Sequence, residues 1–327
     1  MLRLVRNNNP FTVLLLFIFT LVLKFRVLFN PVVPKLIPNH FLYNSILKVL
    51  HVFLGEFGYA YTFLAIVFLF LQSIYLFNIT GKHKLFSHVT YIPAYVYILL
   101  TSLYPIFNTF SETLLLNWLL IGGLDVMFGF SVTHQPRKLI FNAGFLICAA
   151  ALFQFTALAF FLLLLVAMVM FRPFNIGEWS VALMGFLTPV YFLIGVLFLW
   201  DKLFLLHQWV HIGFSISPKV AFPKYLGYVL SCLFLLLVSG VYAMQQNVAM
   251  SNIYTRRDWT VISFYLIIAI MVAFITDITI GSAWLITLPA LSIIVSHAFS
   301  VEKNKWFSNF IFYFSLLFIV FCLWANK

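Results

Sequence analysis

Acidic residues are scarce in this chain. It has 8 Asp and Glu among 327 residues, and charged residues of both signs make up only 8% of it. Because 64% of the residues are hydrophobic and the mean hydropathy is +1.08, no polar surface is left to cover a water-soluble globule. We therefore expect residues 1–327 to form a single integral membrane domain.

Patterns typical of metal, disulfide and nucleic-acid proteins are also lacking. The three cysteines lie inside apolar stretches without pairing or metal-ligand spacing. His207 and His211 share one predicted helix face, but no third and fourth ligand accompany them, so we predict no metal site and no cofactor. The net charge of +11 comes from Lys and Arg placed between apolar stretches, where they set topology and meet anionic lipid. The expected partner is a lipid bilayer, not nucleic acid.

Apolar stretches of membrane-crossing length fill most of the chain. One crossing takes roughly 17–25 apolar residues, so we predict an all-α, polytopic bundle with about eleven spans. The predicted spans are 10–29, 57–78, 91–108, 113–132, 141–154, 156–171, 179–200, 223–244, 259–276, 282–299 and 306–324.

Basic residues fall at every second junction between these spans. The positive-inside rule then predicts a cytoplasmic N-terminus, because that orientation brings all of these residues to one face. They are Arg3, Arg6, Lys82, Lys84, Arg137, Lys138, Arg172, Arg256, Arg257, Lys303 and Lys305.

Residues 141–171 form one long apolar run with cytoplasmic-type charge at both ends. We interpret the run as a hairpin of two short or tilted helices that bends at Gln154-Phe155-Thr156. A single tilted span is the alternative, and it would invert every later span.

Two outer segments are long enough to form interfacial helices. Residues 30–56 have three prolines followed by apolar residues among polar ones, and residues 201–222 repeat this pattern. Each segment is interpreted either as a helix that seals the bundle or as a platform for a substrate.

A few ionisable residues fall within or beside the predicted spans, where charge is costly and therefore often functional. Lys24 and Arg26, near the outer end of the first span, either extend to the headgroups or bind a lipid phosphate. Asp125 follows two glycines in the fourth span, and we interpret it as a paired structural carboxylate or as a proton relay. Glu56 and Glu112 lie at the outer ends of spans, where one of them can serve as a general base for a hydroxyl acceptor.

The order of these elements resembles the conserved core of the GT-C membrane glycosyltransferases, which take sugars from polyprenyl-phosphate carriers. That core has an acid at the start of its fourth helix, a pair of short helices and a basic cytoplasmic turn before the next span. Here the resemblance covers about residues 90–200, which it implies form a GT-C-like core. It rests on residues 103–116, Arg137-Lys138, 142–153, 157–165, 171–174 and 185–189.

One feature departs from that family. GT-C enzymes usually carry an essential acid early in the first outer loop, whereas residues 27–55 contain none. A catalytic base must then come from Glu56 or Glu112, with Lys24 or Arg26 on the carrier phosphate.

The whole chain also resembles an uncharacterised family of bacterial multipass inner-membrane proteins, a domain of unknown function. The resemblance rests on Phe171-Arg172-Pro173-Phe174-Asn175 followed by Glu178-Trp179. It implies a location in the bacterial inner membrane.

Three functions remain open at this point. The first is a polyprenyl-phosphate-sugar-dependent glycosyltransferase or a related envelope-glycan enzyme. The second is a non-catalytic subunit of a cell-envelope assembly or secretion complex, with other envelope membrane proteins as partners. The third is a transporter, for which the only candidate helix break is at Gln154.

Overall fold

The computed structural model describes residues 11–37, 40–131, 135–209, 224–248, 251–276, 281–300 and 305–325, and within these ranges the chain is helical and has no strand. The α-helices in chain order are α1 (Phe11–Phe29), α2 (Phe41–Leu54), α3 (Gly58–Lys82), α4 (Ile92–Thr101), α5 (Glu112–Phe128), α6 (Pro136–Phe153), α7 (Phe160–Phe171), α8 (Ile176–Leu199), α9 (Phe204–Trp209), α10 (Lys224–Val248), α11 (Ile253–Ile275), α12 (Leu288–Ser300) and α13 (Lys305–Ala325). Short 3-10 helices cover Pro105–Asn108, Gly129–Ser131, Phe155–Ala159 and Ser282–Thr287.

Eight helices in the described ranges are long and apolar enough to cross a membrane. The multipass architecture expected from the sequence is therefore present. The remaining predicted spans coincide with shorter apolar helices, which are Ile92–Thr101, Phe155–Phe171 and Ser308–Ile319. The total of about eleven spans stays a prediction, as do the GT-C-like core and the cytoplasmic N-terminus.

Basic residues gather at one end of the bundle, which we call the basic end. Lys82 at the end of α3 reaches the Asp125 carboxylate near the end of α5, with Nζ and Oδ1 2.8 Å apart. Phe86, just after α3, packs its ring 5.9 Å from that of Trp259, two residues beyond Arg257 on α11. The basic end therefore carries Lys82, Lys84, Arg137, Lys138, Arg172, Arg256 and Arg257. Glu112 begins α5 at the opposite end, called here the Glu112 end.

The run 141–171 reverses direction. At Gln154 the backbone is extended, with φ −145° and ψ 117°, and this ends α6. The start of α6 and the start of α8, the helix after α7, lie at the same end. Arg137 is in the first turn of α6, and its Nη2 would be 3.7 Å from a Cβ on Gly177 in the first turn of α8. Phe171, at the end of α7, packs its ring 6.5 Å from that of Phe130, in the 3-10 helix that follows α5. Charged residues on both sides of the run thus share the basic end, as the hairpin interpretation requires.

Helices α6 and α8 pack closely through two glycines. A Cβ on Gly144 would lie 2.8 Å from the carbonyl oxygen of Ala182, and one on Gly185 would lie 2.4 Å from that of Phe141. Hydrogen atoms in place of side chains let the two backbones touch, as small residues do in membrane helix pairs. This contact fixes α8 against the hairpin.

The two predicted interfacial segments have different outcomes. The first contains α2, which buries Tyr43 and Leu47 and leaves Val52 83% exposed and Phe53 79% exposed. An apolar face exposed in this way fits a helix that contacts lipid. In the second, α9 covers only Phe204–Trp209, and residues 210–222 lie outside the described ranges.

Candidate active site

Glu112 lies in the first turn of α5 at the Glu112 end. The preceding residue, Ser111, caps this helix, because its side-chain oxygen accepts a hydrogen bond from the Leu114 N–H at 3.4 Å. A carboxylate in a first helical turn is also favoured by the helix dipole. Glu112 is nevertheless only 7% exposed. A buried acid at this position needs a positive partner.

His40 is that partner. Its Nδ1 lies 2.5 Å from Glu112 Oε2 and 2.9 Å from the Phe153 carbonyl oxygen. The contact is an ion pair reinforced by a hydrogen bond from the imidazole to the carboxylate. One imidazole nitrogen therefore joins the start of α5 to the end of α6.

The pKa of His40 is raised above its ordinary value. Burial of the imidazole acts to lower the pKa, but the hydrogen bond to Glu112, the negative charge of Glu112 and the hydrogen bond to the Phe153 carbonyl together outweigh burial. The protonated form of His40 is thus favoured beside Glu112. His40 is 24% exposed at its side chain and Glu112 10%, so the pair lies near the surface without being open to it.

Short-range contacts hold His40 in place. The Asn44 side chain exchanges two hydrogen bonds with the Ile37 backbone, donating to its carbonyl at 2.6 Å and accepting from its N–H at 3.0 Å. Tyr43 donates its hydroxyl proton to the Phe110 carbonyl at 3.0 Å, two residues before Glu112. Helix α2 is therefore tied to the loop that leads into α5.

Gln154 lies at the helix break next to this pair and is 2% exposed. Its amide nitrogen donates to the hydroxyl oxygens of Thr156, at 2.7 Å, and of Thr276, at 2.6 Å. Its amide oxygen Oε1 is buried and has no partner. The Phe153 carbonyl that His40 contacts belongs to the same peptide group as the Gln154 nitrogen, so the two features are neighbours in the fold.

Lys24 is fully buried within α1 and does not extend to the surface. Its Nζ donates to Thr101 Oγ1 at 3.0 Å and to Asn108 Oδ1. Asn108 ends the 3-10 helix four residues before Glu112. Lys24 thus hydrogen-bonds to the segment that leads into α5. Its predicted contact with a lipid phosphate stays a prediction.

Arg26 and Glu56 do not join this cluster in the described part of the chain. Arg26 is partly exposed on α1, and Glu56 is exposed in the turn between α2 and α3. Of the two predicted bases, Glu112 is the one that has a basic neighbour.

Asp125 is at the basic end, far from Glu112 along α5. Its carboxylate accepts hydrogen bonds from Lys82 Nζ at 2.8 Å and from Tyr75 OH at 3.4 Å, and it lies 2.8 Å from His83 Nε2. Asp125 is therefore a paired carboxylate that links α3 to α5.

The motif after α7 forms local contacts at the same basic end. Arg172 Nη2 lies 3.0 Å from Glu178 Oε1. Asn175 caps α8, because its side-chain oxygen accepts from the Gly177 N–H at 2.9 Å. In this structure the motif ends one helix and starts the next.

Sequence reasoning missed the role of two members of the cluster. The sequence pattern assigns no role to His40, and it predicts Gln154 only as the bend of the hairpin. Within the described residues no group of three His, Cys, Asp or Glu side chains could hold a metal ion. Asp277, which the predicted spans place on the same outer face as Glu112, falls outside the described ranges.

Comparison of the chain with protein-family models, with curated proteins and with solved structures finds no match.

Proposed function

We propose that this protein is a membrane enzyme that transfers a sugar from a polyprenyl-phosphate carrier to a hydroxyl acceptor. The observation that carries the proposal is the His40–Glu112 pair, a carboxylate held at a helix start beside an imidazole near the membrane surface. General-base catalysis needs such a carboxylate within reach of the acceptor hydroxyl.

In the proposed reaction Glu112 takes the proton of the acceptor hydroxyl. The acceptor oxygen then bonds to the anomeric carbon of the donor sugar. The bond from that carbon to the phosphate oxygen breaks, and its electron pair leaves with the polyprenyl phosphate. His40 orients the carboxylate. Arg26, which is partly exposed on α1, is the proposed cation for the carrier phosphate, because Lys24 is buried and donates to Thr101 and Asn108.

An unsatisfied acceptor beside the pair supports an enzyme over a purely structural protein. Gln154 Oε1 is buried without a hydrogen-bond donor. Such an orphan acceptor costs about 1–3 kcal/mol of stability, and proteins retain few of them. A ligand that supplies a donor would account for it.

The test is transfer from a panel of polyprenyl-phosphate hexoses by the protein reconstituted in lipid nanodiscs. We expect Glu112→Gln to reduce turnover by about 10²–10⁴-fold, the usual contribution of a general base. Asp201→Asn is the matched control, since Asp201 is an exposed acid after the end of α8, and it should retain activity. A protein that loses turnover with Glu56→Gln but not with Glu112→Gln would assign the base to Glu56 and contradict the proposed role of Glu112.

A second candidate function is a non-catalytic subunit of an envelope complex. It is favoured by α8, of which only 22% is buried and whose exposed side chains include Tyr191 at 73% and Phe192 at 63%. In a membrane such a face contacts lipid or another protein. The test is photo-crosslinking from position 191 in cells. A single crosslinked partner together with no turnover of any donor would favour the subunit over the enzyme.

A further inference from the structure

The Gln154 amide is oriented with its nitrogen toward two threonine hydroxyl groups. This nitrogen lies 2.6 Å from Thr276 Oγ1, which also lies 2.8 Å from the Val272 carbonyl oxygen. Thr156 Oγ1 lies 3.1 Å from Thr276 Oγ1 and 2.7 Å from the same amide nitrogen. The amide oxygen Oε1 is consequently the atom left without a partner.

This oxygen lies beside the His40–Glu112 pair. Gln154 Oε1 is a buried acceptor without a donor. His40 links it to the pair, because its Nδ1 contacts both Glu112 and the carbonyl of the residue before Gln154. The unsatisfied group of the site is thus an acceptor, and it requires a hydrogen-bond donor.

We propose that Gln154 is a recognition residue whose Oε1 accepts a hydrogen bond from a hydroxyl of an uncharged, hydroxyl-rich head group. A phosphate or carboxylate group offers only acceptors here and would face the negative charge of Glu112. A cationic head group is not required, because His40 already supplies the positive charge beside Glu112. The site therefore selects a sugar-like or polyol head group.

The inference rests on the proposed transferase for the identity of the ligand, but its test requires no turnover. Equilibrium binding of decyl β-D-glucoside to the nanodisc-embedded protein is compared with binding of decyl phosphate and decylammonium. The shared decyl chain makes partition into the lipid similar for the three probes, and empty nanodiscs give the background. We expect saturable binding of the glucoside and only background binding of the other two.

The key variant is Gln154→Leu, which should weaken binding of the glucoside about tenfold, as expected for one lost hydrogen bond. Gln72→Leu is the matched control, because Gln72 is also buried but both ends of its amide are satisfied, by Leu114 and Tyr97. It should leave affinity for the glucoside unchanged. If Gln154→Leu does not fold, Gln154→Met replaces it.

Each outcome bears on the inference. Stronger binding of decyl phosphate or decylammonium, or equal affinity for the glucoside in the wild type and Gln154→Leu, overturns it. Binding of the glucoside that depends on Gln154, in a protein that transfers no sugar from any donor, upholds the recognition role and overturns the transferase. Transfer that is insensitive to Gln154→Leu upholds the transferase and overturns the recognition role.

Discussion

At the scale of single residues, the His40–Glu112 ion pair makes stability depend on pH. The pKa of His40 is raised in the folded protein, through the charge of Glu112 and against the effect of burial. The unfolded chain has the ordinary imidazole pKa of about 6.5. The stabilisation is therefore complete below that value and is lost as the pH rises through the higher pKa of the folded state.

We expect thermal unfolding in nanodiscs to show this loss. The melting temperature of the wild type should fall over the pH range above about 6.5 relative to that of His40→Gln, which has no imidazole at this position. Glu112→Gln should remove the same pH-dependent difference, because the imidazole then has no anion beside it. A difference between wild type and His40→Gln that stays constant over this range would show that the pair does not couple to folding.

The residues of the site differ in how far the sequence predicts them. Glu112 stands out as an acid that follows a serine cap at the start of an apolar stretch, a local signal. His40 has no local signal, since its partner lies 72 positions later and the contact arises from the packing of α2 against the end of α6. The orphan oxygen of Gln154 depends on Thr276, which is 122 positions away. Pairings of this kind follow from tertiary packing alone.

At the scale of helices, the contact of α6 with α8 depends on glycine. An added methyl group on Gly185 would lie 2.4 Å from the Phe141 carbonyl oxygen, and backbone cannot move aside as a side chain can. Gly195, ten residues later on α8, has nothing within 4 Å of an added Cβ. Helix α8 thus has one glycine with no room for an added methyl group and one glycine with ample room.

We expect Gly185→Ala to destabilise the protein by about 1–3 kcal/mol, the usual cost of overpacking. Gly195→Ala should change stability little, because its methyl group points into open space. The stability of both variants is measured by thermal unfolding in the same nanodiscs. Equal melting temperatures for the two variants would mean that α6 and α8 can move apart to admit the methyl group without a loss of stability.

The hairpin of α6 and α7 shows what charge patterns can predict. Basic residues on both sides of 141–171 indicate a reversal, and the structure has one at Gln154. The hydrophobic pattern does not indicate that the 3-10 helix Phe155–Ala159 follows this break, because an apolar run looks the same in either helix type. The break comes after 18 residues of α6, about 27 Å at 1.5 Å per residue. This length is close to the roughly 30 Å of a bilayer core, so we expect the break near a membrane face, whereas transporter sites lie near the midplane.

At the scale of the whole molecule, the gathering of basic residues at one end is the feature from which orientation is inferred. The positive-inside rule predicts that this end is cytoplasmic. Sequence alone predicts the membrane class and the positions of most helices, because both depend on hydropathy. It does not establish how many helices cross, since α4 and α7 have 10 and 12 residues and their depth depends on neighbours.

Labelling with a membrane-impermeant maleimide tests the orientation. In a background with its three cysteines replaced by serine, Lys48→Cys on α2 and Lys138→Cys on α6 each place one thiol at an exposed position. We expect Lys48→Cys to react in intact spheroplasts and Lys138→Cys to react only after permeabilisation. The reverse pattern would place the basic end outside.

The buried position of Lys24 also has a consequence for biosynthesis. A lysine in bilayer hydrocarbon without a partner costs about 2.5–3.5 kcal/mol on membrane-insertion scales. The acceptors that surround Lys24 here, Thr101 and Asn108, are synthesised 77 and 84 residues after it. Helix α1 leaves the ribosome first among the described helices. It therefore reaches its final place in the bundle only once α4 and the loop that follows it have entered the membrane.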